Sequence, residues 1–449
     1  MQAWLARAAA VGGDRPALVT PARSVTYAEL MRAAMRAAGG LVARGVGRGD
    51  RVALAMPSEE LVVALHACLL IGAVAVPIDL RLREHERAQR SEGAAVVLDG
   101  LDGFDGPDVL DGPDGLDGFD GVGDGSGELE PVPVDVAATA TLMFTSGTTA
   151  GPKPVALTCG NWLWNAIGSA MALGLDPEET WLCPMPLAHV GGLSIQIRSA
   201  IYGTTVLLHE RFDVERALAA LINPGAGVTL VSLVPTMLSR LLDAGLREPP
   251  TLRRALLGGG PIAPALLRRA ADAGVPVAPS YGMTEACSQI ATDGVPLLGV
   301  ELEIAADGEV LVAGATVAPG ALGRDGWLHT GDLGAWDDAG RLVIVGRKAD
   351  TIVSGGENVA PAEVEAALLE HPLVVDAAVL GRPDAEWGEA VVALVVLADG
   401  AGVELDELRA QLRAHCDARL APFKVPKAFE PVAKVPRGVT GKLLRRELA

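Results

Sequence analysis

The sequence predicts an α/β protein, with a large multi-layered α/β N-terminal domain followed by a small α+β C-terminal domain. Three observations carry this. The 449 residues exceed what one hydrophobic core usually supports, so two or more domains are expected. Half of the residues are apolar, which is ample for buried cores. Through the middle of the chain, short β-branched runs alternate with helical patterns, the rhythm of stacked strand and helix layers.

Taken in order, residues 1–10 carry Arg7 and lack a long apolar segment with a cleavage site, so no secretory signal is expected and a cytoplasmic location is favoured. Residues 61–78 are apolar enough to raise the question of a membrane span. His66 interrupts that run, Pro77 lies near its end, and its composition passes from helix-like to strand-like, so a buried helix followed by a strand is expected and no membrane insertion. Residues 99–135 hold twelve acidic residues and no Lys or Arg, with Asp at every third position from 99 to 120. So much glycine and charge cannot bury enough surface to offset the entropy of ordering, and a disordered insertion is expected. A calcium-binding repeat is the alternative, against which stands the lack of any EF-hand spacing. The tract accounts for twelve of the negative charges behind a formal net charge of −19, and an acidic balance argues against nucleic acid as a partner.

An apolar run at 138–144 leads into residues 145–153, Thr-Ser-Gly-Thr-Thr-Ala-Gly-Pro-Lys, and then a short strand at 155–157. Thr145, Ser146, Gly147, Thr148, Thr149 and Lys153 form a loop suited to polyphosphate. Backbone N–H groups freed by glycine, short hydroxyls and one lysine can neutralise phosphate oxygens. A plain turn is the structural alternative. The Walker pattern occurs nowhere in the chain, which disfavours an ordinary P-loop enzyme. Strands at 206–208, 228–233 and 255–257 alternate with helices at 213–222, 235–242 and 264–273. The glycines Gly258, Gly259 and Gly260 fall at a strand end, where ligands of open α/β sheets sit.

After Asp332 the texture changes. A strand at 340–345 leads into Gly346 and Arg347, and the rest has a complete pattern of its own. Pro361 opens a helix at 362–370 with Glu363 and Glu365 in its early turns. Strands at 374–380 and 391–397 and a helix at 405–420 follow. About one hundred residues suffice for a separate core. The expected division is 1–345, a connection at 346–350, and 351–449. The cysteines, Cys68, Cys159, Cys183, Cys287 and Cys416, lack the paired spacings of zinc sites or disulfide frameworks and read as thiols.

Downstream of the hydroxyl-rich loop come Gly258-Gly259-Gly260-Pro261, Tyr281-Gly282-Met283-Thr284-Glu285, His329-Thr330-Gly331-Asp332, Gly346-Arg347-Lys348-Ala349-Asp350, Ser354-Gly355-Gly356-Glu357-Asn358 and Pro436-Arg437-Gly438-Val439-Thr440-Gly441-Lys442. This ordered series resembles the adenylate-forming superfamily of acyl-CoA synthetases, peptide-synthetase adenylation domains and luciferases, over nearly the whole chain. The resemblance implies an AMP-forming ligase that uses ATP, Mg2+ and coenzyme A. Residues 145–153 would wrap the β- and γ-phosphates, with Gly258 to Gly260, Tyr281 and Gly282 lining the nucleotide site. Thr284 would contact the α-phosphate, and Glu285 would help to hold the metal, a surface carboxylate being its plain alternative. Asp332 would take both ribose hydroxyls, with Arg347 beside it, though a turn residue and a surface charge are the bland readings. Lys442 would bridge the attacking carboxylate and the α-phosphate. Residues 346–350 would be a hinge, with the swivel near Ala349, and 351–449 a mobile lid. After adenylation the lid would rotate, withdraw Lys442 and present Gly355-Gly356 as a side-chain-free path for the pantetheine arm.

More particular likeness lies in residues 187–194 and 198–203, with Gly160-Asn161-Trp162, Gly174-Leu175-Asp176 and the run from Ser280 to Gln289. These look like the 2-succinylbenzoate-CoA ligases of menaquinone biosynthesis. That acid carries two carboxylates; Arg198 would pair with the second, His189 would shape or gate the acyl site, and Ser288 would face the acid. Arg198 as a snorkelling side chain and His189 as a satisfied histidine near a helix start are the structural alternatives. Another aryl or alkyl acid, a carrier-protein-dependent enzyme, and a silent nucleotide-binding homologue are the functional ones. Ala150 and Pro154 stand where the family pattern has glycine, which points to a working but slower loop. Oligomeric state is left open, a homo-oligomer included.

Overall fold

The computed structural model describes residues 1–101, 129–145, 153–398 and 404–437, with 443, 445 and 448. Most of the acidic tract therefore lies outside the described residues. Among those described, four sheets carry the architecture.

The first is nine-stranded. Its centre is parallel, Val277–Met283, Arg254–Leu257, Val228–Leu233, Thr180–Cys183, Thr205–Leu208 and Pro16–Val19, with antiparallel pairs added at both ends. These strands read as near-continuous apolar runs because helices cover them. The helices Val214–Ile222, Pro235–Asp243 and Pro264–Asp272 alternate with strands as expected.

The second sheet orders Val96–Leu98, Arg51–Leu54, Val74–Pro77, Thr139–Thr145 and Lys153–Thr158. The run at 61–78 is indeed helix then strand. Helix Ser58–Ile71 is almost wholly buried and ends at Gly72, whose φ of 74° only glycine adopts freely, before strand Val74–Pro77 begins. His66 is buried in that helix, and burial pushes its imidazole down to about 4. No helix among the described residues is long and apolar enough to cross a membrane.

A third, four-stranded antiparallel sheet joins Val300–Ile304, Glu309–Gly314, Leu328–Trp336 and Leu342–Arg347. The last strand starts two residues later than expected and runs through Gly346 and Arg347. Leu333 pairs with Gly346 and Asp332 with Arg347. The short turn Lys348–Asp350 follows. The small lobe beyond it packs a five-stranded sheet against helices Pro361–Leu368 and Leu405–Asp417, with its own core of Val359, Val364, Leu368, Val379, Val391, Leu408 and Leu412. The expected elements are present there, the second helix three residues shorter than expected.

Candidate active site

Gly258 to Gly260 follow one parallel strand and Tyr281 and Gly282 lie toward the end of the next, while Asp332 and Arg347 come from the antiparallel third sheet. Strand Thr139–Thr145 and strand Lys153–Thr158 pair antiparallel, which sets Thr145 and Lys153, the first and last residues of the expected phosphate loop, opposite each other. Pro154 sits in the sheet's edge strand, where a missing N–H is tolerated. Ser146, Gly147, Thr148, Thr149 and Ala150 lie outside the described residues, as does Lys442.

Strand Arg254–Leu257 ends in Gly258, Gly259 and Gly260. The Gly258 N–H donates to the Leu233 carbonyl at 3.1 Å, Gly259 has a φ of 79°, and a Cβ on Gly258 would meet the Ser280 carbonyl oxygen at 2.9 Å. The adjoining strand Val277–Met283 carries Tyr281 and Gly282. A Cβ on Gly282 would lie 1.7 Å from the Ser288 carbonyl oxygen, so no other residue fits without moving the backbone. Thr284 and Glu285 form a single turn after this strand, half-buried, and the Glu285 carbonyl accepts from the Ala318 N–H at 2.8 Å. Cys287 and Ser288 follow in the left-handed region, φ 56° and 89°, a strain that non-glycine residues bear where a site demands it.

Three candidates from distant motifs meet. The Tyr281 hydroxyl donates to Asp332 Oδ2 at 2.8 Å, and Arg347 Nε lies 2.6 Å from Oδ1. The Asp332 backbone N–H donates to Thr330 Oγ1. Asp332 is 4% exposed, so water competes little for it. Burial, and then the Asp332 charge, push the Tyr281 phenol well above its ordinary range, so it remains a donor. Behind this cluster, Glu309 accepts from the Gly331 N–H and from Lys348 Nζ, which also reaches Asp307. Burial would raise the Glu309 carboxyl, but Lys348 and that N–H hold it below its usual range.

His189 sits at the N-cap of helix Val190–Tyr202 without capping it. Its Nε2 lies 3.4 Å from Arg81 Nη2 and 3.6 Å from Asp79 Oδ2. Arg81 is a donor only, so in that contact Nε2 accepts. Asp79 grips Arg81 with both oxygens, at 2.8 and 2.5 Å. Burial opposes ionisation of Asp79, but the Arg81 hydrogen bonds keep its carboxyl below the usual value. Sequence reasoning missed Asp79 and Arg81. Their signal was an Asp-x-Arg just past the end of a buried parallel strand.

Arg198, on the same helix as His189, is 1% exposed, and burial lowers its guanidinium from the ordinary value. It does not snorkel. Its Nε and Nη2 donate to Asn165 Oδ1 at 3.1 and 2.5 Å, and its guanidinium carbon lies 5.7 Å from the centre of the Trp181 ring. Asn165, in helix Cys159–Leu173, was also missed; a polar side chain on the buried face of an apolar helix was the available sign. Its Nδ2 donates to the carbonyl of Gln289, next to Ser288.

Gly355 and Gly356 form the turn between strands Ile352–Ser354 and Glu357–Val359, with φ of 60° and 85°. The hairpin supplies its own reason for two glycines. No hydrogen bond or ion pair among the described residues joins them to Tyr281, Asp332 and Arg347. Nor, among the described residues, do three His, Cys, Asp or Glu side chains gather as a metal cage. A single half-buried carboxylate, Glu285, suits magnesium, which takes one or two protein carboxylates and completes its shell with phosphate oxygens and water.

Comparison with known proteins finds relatives along the whole chain. The model of the AMP-binding enzyme family matches residues 5–321, and that of the AMP-binding enzyme C-terminal domain matches residues 363–442. The chain is 38% identical over 479 residues to a 2-succinylbenzoate–CoA ligase of Bacillus subtilis (strain 168), covering 99% of this chain and 97% of that one. Solved structures of the o-succinylbenzoate CoA synthetase of B. subtilis are similar throughout. Its complex with the acyl-adenylate intermediate OSB-AMP aligns with a TM-score of 0.87 at 37% identity, over 100% of this chain and 98% of that one. Its complex with ATP and magnesium ion gives 0.85 at 36%, over 100% and 99%. A double mutant of it bound to the product analogue OSB-NCoA gives 0.70 at 37%, over 100% and 98%.

Proposed function

The chain belongs to the AMP-binding enzyme family, and on that premise we propose that it is an ATP-dependent ligase converting 2-succinylbenzoate to 2-succinylbenzoyl-CoA in menaquinone biosynthesis. In the first step a carboxylate oxygen of the acid attacks the α-phosphorus of ATP, the bond to the bridging oxygen breaks, and pyrophosphate leaves. In the second, the coenzyme A thiol attacks the acyl carbon of the mixed anhydride, AMP leaves with the electron pair, and the thiol proton passes to solvent.

Asp332 takes the ribose hydroxyls and is held for that work by Tyr281 and Arg347. Gly258, Gly259, Gly260 and Gly282 let backbone approach the nucleotide without side chains intervening. The loop from Thr145 through Ser146, Gly147, Thr148 and Thr149 to Lys153 takes the outer phosphates, and Thr284 the inner one. Magnesium, held by Glu285, supplies charge neutralisation across the phosphates when bound. Lys442 neutralises charge developing between the carboxylate and the α-phosphate, where a positioned cation is worth most. His189, fixed by Arg81 and Asp79, walls the acyl side with Ser288. The five thiols are unpaired, and ATP and coenzyme A are plentiful in the cytoplasm, where we place the enzyme.

The choice of acid rests on one observation, a buried arginine whose described partner is a neutral amide. Arg198 suits an acid with a second carboxylate, as the ring of 2-succinylbenzoate provides. The two-step use of one site is supported by the unequal likeness to two complexes of one relative, 0.87 for the acyl-adenylate and 0.70 for the product analogue. Identity and coverage are the same in both, and a small lobe swivelling at 346–350 would lower the likeness in this way. The test is a panel of carboxylic acids offered with ATP, magnesium and coenzyme A. AMP release and thioester formation greatest with 2-succinylbenzoate are expected; a preference for a simple monocarboxylic acid refutes the choice of substrate, and no AMP from any acid refutes the ligase.

A further inference from the structure

We infer that Asn165 sets the charge selectivity of the acid site: by holding Arg198 with a neutral amide it leaves the guanidinium uncompensated and reserved for an anionic group on the acid. This inference rests on the proposed ligase reading and deepens it.

The orientation of Asn165 is dictated from both sides. Its Nδ2 donates to the Gln289 carbonyl at 3.1 Å, so its Oδ1 must be the atom facing Arg198, where it accepts from Nε and Nη2. An amide turned the other way would set donors against donors. Asn165 is fully buried, and Arg198 is 1% exposed. The third guanidinium nitrogen, Nη1, has no hydrogen-bond partner among the described residues, and no described carboxylate lies within salt-bridge distance. The Trp181 ring interacts with the cation without neutralising it, and the other two groups that act on it, Tyr202 and Cys287, are kept protonated by burial and bring no counter-charge.

Other arginines of the protein are treated differently. Arg445 pairs with Asp350 and Glu365, and Arg253 with Glu179, although both are more exposed than Arg198. A buried charge without a counter-charge is costly, and it is kept where a ligand brings the opposite charge. Asn and Asp have nearly the same shape, so the choice at position 165 decides whether the pair is closed inside the protein or left open to the acid. Asn165 is thus a positioning and selectivity residue acting through Arg198.

The experiment compares 2-succinylbenzoate with 3-benzoylpropionate, which keeps the ketone and the activated carboxylate and lacks the ring carboxylate. The readout is the ratio of kcat/KM for the two acids in full-length wild type, Asn165→Asp and Asn165→Ala, each checked by thermal melting with and without ATP. The wild-type ratio should favour the diacid. In Asn165→Asp the ratio should fall by about 10- to 100-fold, the worth of a hydrogen bond to a charged group, mostly through the KM of the diacid. In Asn165→Ala the guanidinium loses its support and the ratio should also fall, by less, which carries the test if the aspartate variant does not fold. Equal losses on both acids, or an unchanged ratio, overturn the inference and make Asn165 a packing residue only. If wild type makes no thioester from 2-succinylbenzoate, the ligase reading and this inference fall together; if it does and the ratio survives in the variants, this inference alone falls.

Discussion

Replacing Tyr281 by Phe removes one oxygen and tests whether Asp332 is the ribose acceptor. The phenol donates to Asp332 Oδ2 at 2.8 Å, and the carboxylate is 4% exposed, so water does not readily take the lost donor's place. Arg347 still holds Oδ1 at 2.6 Å, and the carboxylate stays charged. A hydrogen bond to a charged group is worth about 1.5–3 kcal/mol net, and each 1.4 kcal/mol is about tenfold in affinity. The expected result is a rise of about 10- to 100-fold in the KM for ATP, with kcat changed by less than about threefold, since a contact made equally in ground and transition states shifts KM alone. Pyrophosphate exchange at varied ATP gives both constants. Repeating it with 2′-deoxy-ATP closes a cycle: if the carboxylate serves the ribose, the penalty of Tyr281→Phe shrinks when one hydroxyl is already missing. A fall in kcat at unchanged KM, or a penalty equal for both nucleotides, refutes the reasoning.

Lys442→Ala should lower acyl-adenylate formation by at least about 100-fold while largely sparing thioester formation from supplied acyl-AMP, as removal of a single charge-stabilising group from the first step alone would do; equal loss of both steps contradicts the swivel. Arg198→Ala should lose activity on 2-succinylbenzoate more than on monocarboxylic acids, by about 10-fold or more, and uniform loss in the same acid panel counts against direct recognition. His66 gives a pH dependence. Its folded value near 4 lies below an unfolded value of about 6.5, so the unfolded chain binds the extra proton between them, and this contribution to stability is complete above about pH 6.5 and lost as pH falls toward 4. The loss amounts to about 3 kcal/mol, and the melting temperature of His66→Leu should fall less steeply than wild type across that window; parallel slopes would show that the buried imidazole is not the sensor.

Much of the fold was legible because parallel strands covered on both faces must be apolar along their length. Strand Val228–Leu233 and its neighbours announce themselves in this way. The end of the third sheet was less legible. Gly346 and Arg347 have the composition of a turn, yet long-range pairing with Leu333 and Asp332 holds them in a strand, and no local signal reports a partner fourteen or so residues away. The residues of the Tyr281, Asp332 and Arg347 cluster stand in motifs that the sequence displays. Asn165, Asp79 and Arg81 do not, since each matters only through a residue distant in the chain, Arg198 or His189. Gly355 and Gly356 are explained locally as well, since a hairpin with positive φ calls for glycine whether or not a pantetheine arm passes along it.

The late strand end also narrows where a swivel can act. Arg347 stays with the large lobe, paired across the sheet to Asp332 and bound to its carboxylate. Asp350 stays with the small lobe, because Arg445 joins it to Glu365 of helix Pro361–Leu368. Between them stand Lys348 and Ala349, and the Lys348 ammonium is tied back to Asp307 and Glu309 on the large lobe. A rotation of the small lobe that preserves these contacts falls on the backbone of Ala349, whose methyl group makes no ion pair to break. Arg445 then travels with the small lobe, and so does Leu443, which bridges to Arg437, itself bound to Asp376. Arg437 and Leu443, on either side of Lys442 in the chain, both belong to the small lobe, so a swivel at Ala349 would carry the two together.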